Sequence, residues 1–182
     1  MKTASALCAL LMVLTHQFTM AQKYETQPFD VIKTIEEAEL RFYPSVMKIQ
    51  SNGDFGSLFR YISGANEAGQ KIAMTTPVQM GTPEGEPVMQ FVLPKKFNKK
   101  NTPSSSNGTV KVIESEEGMY LAVSYGGYTM DWRERKAAER LRAIANQHGV
   151  ELIGAPILMV YNSPYQVFGR KNEVLFRVNT SE

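Results

Sequence analysis

Few side chains in this sequence are equipped for chemistry, and their placement excludes more than it offers. Cysteine occurs once, at Cys8, and histidine twice, at His16 and His148. Ser124, Asp131 and His148 are the residue types of a hydrolytic triad, but Ser124 stands in AVSYGG without the G-x-S-x-G elbow that lifts a nucleophile out of a strand. No G-x-G-x-x-G or P-loop run is present to cradle a nucleotide phosphate. Glu39, Arg41 and Glu173 are charged residues inside the apolar strand patterns ELRFY and NEVLFRV. Charges in that setting are expected to form a buried ion-pair network that fixes strand register, in preference to acid–base catalysis.

The amino terminus removes most of the remaining chemistry. Lys2 precedes the apolar run Ala6 to Leu14, and Thr19-Met20-Ala21 puts small residues where a signal peptidase inspects, so residues 1–21 read as a cleaved signal peptide. The run is shorter than the roughly 20 residues of a bilayer span, and no stable membrane anchor is expected after cleavage. Residues 22–182 then form a single domain, exported to the periplasm or the extracellular space. Cleavage takes away Lys2, Cys8 and His16, leaving no cysteine, His148 alone, and 20 − 1 = 19 basic against 18 acidic groups. Disulfides, thiolate nucleophiles and thiolate ligands are thereby excluded from the processed chain. Its near-neutral balance argues against nucleic acid, which calls for a basic stripe.

The elements that position these residues follow from periodicity. A composition 43% hydrophobic and 21% charged is that of a folded domain. Phe55, Leu58, Phe59 and Ile62 fall at i, i+3, i+4 and i+7, one face of a helix that Asp54 or Asn52 can cap and Gly64 can end, with Arg60 and Tyr61 pointing elsewhere. KIAMTTPVQM then alternates as a strand carrying Pro77, a sign of an edge or a bulge. FDVIKTIEE, ELRFY, SVMKIQ and PVMQFVLP supply further strands of the first half. The polar stretch Lys95 to Gly108, with four lysines, reads as an exposed loop.

The second half repeats this order. Val31-Ile32-Lys33-Thr34 is echoed by Val112-Ile113-Glu114-Ser115, and a strand from Met119 to Tyr125 leads to a helix whose Met130, Ala137, Leu141, Ile144 and Ala145 share a face. ELIGAPILMVYN and NEVLFRV close the half as KIAMTTPVQM and PVMQFV close the first. The expected fold is α+β: two pseudo-symmetric ββαββ halves forming a distorted eight-stranded antiparallel barrel or sheet with two helices. Phe55 and Leu58 are expected in the core, and Tyr125, Tyr128 and Trp132 are expected to seal the structure around the Gly126-Gly127 turn.

The run GDFGSLFRYISGANEAGQKIAMTTPVQM resembles the signature of the SOUL family of haem-binding proteins, and ELRFY, FVLP and GRKNEV follow in the family's order. The resemblance covers about Phe29 to Val178. It implies a hydrophobic surface groove for haem or another tetrapyrrole, beside the first helix and its following loop, without catalysis established for the family as a whole. Carried over by position, Phe59 and Ile62 on the helix, Lys71 and Met74 on the loop and strand, and Arg170 and Lys171 of GRKNEV are the implied cofactor-binding residues. The family's aromatic before E-L-R is Ala38 here, and a histidine used as iron ligand in some members has no counterpart. Met74 and His148 are the weak candidates for iron, and binding without a protein ligand is the expectation. The competing expectation is a general small-molecule or protein-partner binding module on the same fold with weak or absent haem affinity.

Overall fold

The computed structural model describes residues 24–180, so the signal-peptide assignment to residues 1–21 lies outside the described residues. Eleven strands and two α-helices follow in the order β1 (Glu25–Thr26), β2 (Asp30–Ile35), β3 (Ala38–Tyr43), β4 (Met47–Ser51), α1 (Phe55–Ile62), β5 (Thr75–Thr76), β6 (Val78–Gly81), β7 (Val88–Val92), β8 (Lys111–Glu114), β9 (Gly118–Gly126), α2 (Asp131–Gln147), β10 (Leu152–Val160) and β11 (Lys171–Val178). Nine strands form one antiparallel sheet, β2-β3-β9-β11-β10-β6-β7-β4-β8, while β1 and β5 pair in parallel beside it. No helix among the described residues is long and apolar enough to cross a membrane.

This order displays the repeat and corrects two of its details. Outward from the central β6/β10 pair, β7, β4 and β8 on one side mirror β11, β9 and β3 on the other. The first strand of each half is therefore exchanged: β3 pairs with β9 of the second half, and β8 pairs with β4 of the first. The letter match at Val31 equated β8 with β2, whereas the topology equates it with β3. β2 is an added ninth strand that pairs on one side only, as does β8. The sheet is consequently open, not a closed barrel.

Both helices cover one face. α1 packs on β4 and β7, and α2 on β9, β11 and β10. Asp54 caps α1 by accepting from the Gly56 N–H, and Gly64, at φ 115°, turns the chain after it. The buried stripe of α1 is Ser57, Leu58, Tyr61 and Ile62. Phe55 is 46% exposed, contrary to its expected place in the core, and Tyr61 is 1% exposed, contrary to its expected place outside it. The Tyr61 hydroxyl donates to the Pro103 carbonyl, and Phe97 is buried in the same cluster, so the polar 95–108 segment is anchored to α1 at both points. Leu58 is fully buried. Leu58→Ala is expected to cost about 2–5 kcal/mol, read as a lower denaturation midpoint at unchanged m-value.

The other face buries a polar network. Segment 24–29 lies across it, with the Gln27 side chain bonded to Gln79 and the Phe29 ring against Tyr43 and Arg41. Arg41 Nη1 and Nη2 each donate at 2.9 Å to Glu173, and Arg41 also reaches Glu39 at 2.7 Å. Tyr161, Ser124 and Lys171 supply Glu173 with further donors at 2.6, 3.0 and 3.1 Å. Desolvation alone would raise the Glu173 carboxyl; the bonds from Arg41 and Tyr161 outweigh it and hold the group down at about 2. Burial, together with the charge of Glu173 and the bond to it, pushes the Tyr161 phenol well above its ordinary value. The expected network joining Glu39, Arg41 and Glu173 is thus present, bridging β3, β9 and β11 and reaching Tyr161 just after β10.

Candidate functional site

Between the helices the sheet is left uncovered. Met89, Met80, Leu158 and Val174 are successive cross-strand neighbours on β7, β6, β10 and β11, and they form an apolar floor. The cleft above it measures about 700 Å³ and is bounded by Ala138, Arg135 and Arg142 of α2 on one side and by Gly53 and Pro87 on the other. That volume lies in the range of small-molecule sites. Asp131, Glu134 and Glu139 add carboxylates to the α2 wall, giving it mixed charge.

The α1 margin carries an aromatic platform. Phe55 and Phe59 stack with centroids 6.0 Å apart and planes 13° from parallel. Phe55 meets Phe91 edge-on at 5.1 Å. Phe91 lies two residues from Met89 on β7 and so shares its face, which sets the platform next to the cleft on its α1 side, with Phe55 and Phe59 themselves outside the cleft lining. Both phenylalanines are about half exposed, an arrangement that leaves their faces open to a planar ligand.

The implied binding residues divide into three groups. Phe59 and Lys71 are exposed and belong to the α1 side, where Lys71 packs beside Gly64. Ile62 is 5% exposed within the α1 core and Met74 is half-buried against that core, so neither opens onto the cleft. Residues 70–74 run as irregular chain instead of the expected strand; Pro77 has no N–H to give, and the ladder with β10 and β7 begins only at Val78. Arg170 is buried, donates to the Ser163 and Gln166 carbonyls and lies 4.3 Å over the Tyr128 ring, the work of a loop clasp. Lys171 turns to the opposite face, 3.1 Å from Glu173 and over Tyr161. His148 ends α2 and bonds Glu36 at 2.8 Å, away from the lining of the cleft.

Several exposed apolar residues escaped the reading of the sequence. Tyr165, Val167 and Phe168 stand 91%, 61% and 86% exposed in the loop that Arg170 clasps. Three large apolar groups in a short loop between Pro164 and Gly169 are a recognisable signal, because such a loop has no core of its own to fill. Tyr128 and Trp132, expected to seal the turn before α2, are 40% and 53% exposed instead. Arg133 lies over Trp132 at 4.8 Å and donates to the Gly126 carbonyl, and Arg170 lies over Tyr128, so each ring has a cation on one face and stays partly open.

These features define a two-helix α+β fold on an open antiparallel sheet with a central ligand-sized cleft. Solved structures share the fold: a hydrolase encoded by lin2189 from Listeria innocua (TM-score 0.58, 13% identity, covering 79% of this chain and 92% of that one) and the EcmrR C-terminal domain (TM-score 0.55, 15% identity, 79% and 98%). At those identities the likeness concerns the fold alone. Residues 24–177 match the family described as SOUL heme-binding protein, and the chain belongs to that family. Heme-binding protein 1 of Sus scrofa is 25% identical over 151 residues, covering 78% of this chain and 72% of the relative. Heme-binding protein 1 of Mus musculus is 25% identical over 150 residues, with the same coverage.

Proposed function

We propose that this protein binds haem or a related tetrapyrrole reversibly on the helix-bearing face, as a carrier, buffer or scavenger, without catalysis. The stacked, half-exposed pair Phe55 and Phe59 beside the apolar cleft is the observation that carries the reading. Their ring faces and the Met80, Met89 and Leu158 floor would hold the flat apolar surface of the macrocycle, with Arg135 on the cleft wall and the exposed Lys71 beyond α1 as donors for its carboxylates. A bound iron porphyrin would supply a redox-active metal. The chain's own contribution is apolar contact, positive charge and exclusion of water. Burying a few hundred Å² yields on the order of 5–10 kcal/mol and association costs remove several, so charge-assisted bonds to the carboxylates are needed to bring the affinity to about micromolar.

Met74 and His148 sit outside the cleft lining. Met74→Ala and His148→Ala are therefore expected to leave the Soret band of the haemin complex unchanged; its loss in either variant would name that residue as the iron ligand. Export follows from the Met1 to Ala21 segment, and amino-terminal sequencing of the protein recovered outside the cytoplasm should begin at Gln22. The carboxylates Asp131, Glu134 and Glu139 on the cleft wall favour a second reading, a binder of other planar amphipathic molecules. Competition by such compounds against a weak haemin signal would select it.

A further inference from the structure

The sheet face turned away from the helices opens onto a second cavity, whose polar end draws on side chains that the helix-side cleft does not use. β10 leaves register between Ile153 and Ile157, where Gly154 adopts φ 73° and Pro156 offers no N–H. The bulge bows the strand from its neighbours and opens a pocket of about 320 Å³. Ile153, Pro156, Ile157 and Val88 form its apolar wall, while Gln79, Gln90, Tyr120 and Arg177 gather at the other end. A recess of about 20 Å³ also touches Gln79, Tyr120 and Ile157 and reaches Lys48. That recess has room for about one water.

Lys48 is the unusual member. Its Nζ donates to Gln79 Oε1 at 2.7 Å and approaches Gln90 Oε1 at 3.5 Å, and no carboxylate among the described residues pairs with it. Burial pulls its pKa down to about 8, which still leaves an ammonium at neutral pH. Arg177 is already neutralised by Glu116 at 2.7 Å. Lys48 lies behind the pocket lining, across the one-water recess, so among the described residues one uncompensated positive charge stands behind the polar end, the complement of a monoanion, and the apolar wall suits a hydrocarbon chain.

We infer that this pocket binds a small amphipathic carboxylic acid, its carboxylate at the Arg177 and Tyr120 end, facing the Lys48 charge through the recess, and its chain against Ile153, Pro156 and Ile157. Val88 and Pro156 also border the helix-side cleft, whereas Gln79, Tyr120, Ile157 and Arg177 do not, so the inference rests on side chains that tetrapyrrole binding does not use. Octanoate, octanol and octylamine titrated into the 15N-labelled protein make the test. Octanoate should give saturable shifts at Tyr120, Gly154 and Ile157 and bind more tightly than octanol, with octylamine weakest. Lys48→Met exchanges a buried cation for an apolar chain of similar length and is compatible with folding. It should weaken octanoate about tenfold or more, leaving octanol and haemin unaffected. Should that variant fail to fold, Arg177→Gln supplies the comparison, with a several-fold loss expected for octanoate alone. Equal affinity for octanoate and octanol, unchanged octanoate binding in the variant, or shifts confined to the cleft beside α2 would overturn the inference.

Discussion

Arg41→Met is expected to destabilise the protein by about 3–5 kcal/mol, because it strands the Glu173 carboxylate in a fully buried position without its principal counter-charge. Tyr161, Ser124 and Lys171 still donate to Glu173 in the variant, but Lys171 is half exposed and is the only cation left to it among the described residues. The double variant Arg41→Met, Glu173→Leu should recover most of the loss, since an apolar pair avoids the desolvation penalty of both ions. Urea unfolding of the single and double variants checks this, and a double variant no more stable than the single would show that the network contributes more than compensation of its own charges. Acid should act through the same carboxyl. Glu173 is held near 2 in the folded chain against a reference of 4.5, so its stabilisation is fully present above about pH 4.5 and is lost as pH falls toward 2. A difference of 4.5 − 2 = 2.5 units corresponds to about 3 kcal/mol. Unfolding free energy should therefore fall steeply across that window, and the fall should be shallower in the double variant.

Phe55→Ala, Phe59→Ala is expected to weaken haemin binding by about ten- to a hundredfold, while costing the fold much less than Leu58→Ala. Each ring keeps about half its surface exposed. A ligand that covered roughly 100 Å² on the pair would gain about 2.5 kcal/mol from them, the energy of that fold-change. The rings differ in their own attachments: Phe55 also rests on Phe91, so Phe59→Ala alone is the gentler substitution and should account for a large part of the loss. Quenching of the single tryptophan, Trp132, whose neighbours Asp131 and Glu134 line the cleft, gives a second readout of occupancy.

Local periodicity carried much of the architecture. Both helices, the paired closing strands of each half and the charged residues inside strand patterns were legible because each depends on spacing within a short window. The exchange of β3 and β8 between halves was not, because which strand lies beside which is decided by tertiary packing. Within α1 the spacing found the helix but misjudged its rotation. A stripe drawn through Phe55, Leu58, Phe59 and Ile62 favours the most apolar residues, whereas the sheet buries Ser57, Leu58, Tyr61 and Ile62. Tyr61 gains its place through the Pro103 carbonyl, a partner 42 residues away that no helical pattern reveals. The displaced phenylalanines are what make the α1 margin aromatic. Arg170 and Lys171 illustrate the same limit from the other side, since a family motif fixes their place in the chain, but the pleat sends Lys171 to Glu173 and the loop carbonyls claim Arg170.

Tetrapyrrole binding beside α1 is tested by a haemin titration of residues 22–182, run beside the same chain with Phe55→Ala, Phe59→Ala and followed by the Soret band and Trp132 fluorescence. Saturable micromolar binding that weakens at least tenfold in the variant is the predicted result. A parent protein whose Soret band and fluorescence stay unchanged up to about a hundred times micromolar affinity, or a variant that binds as tightly as the parent, would contradict it.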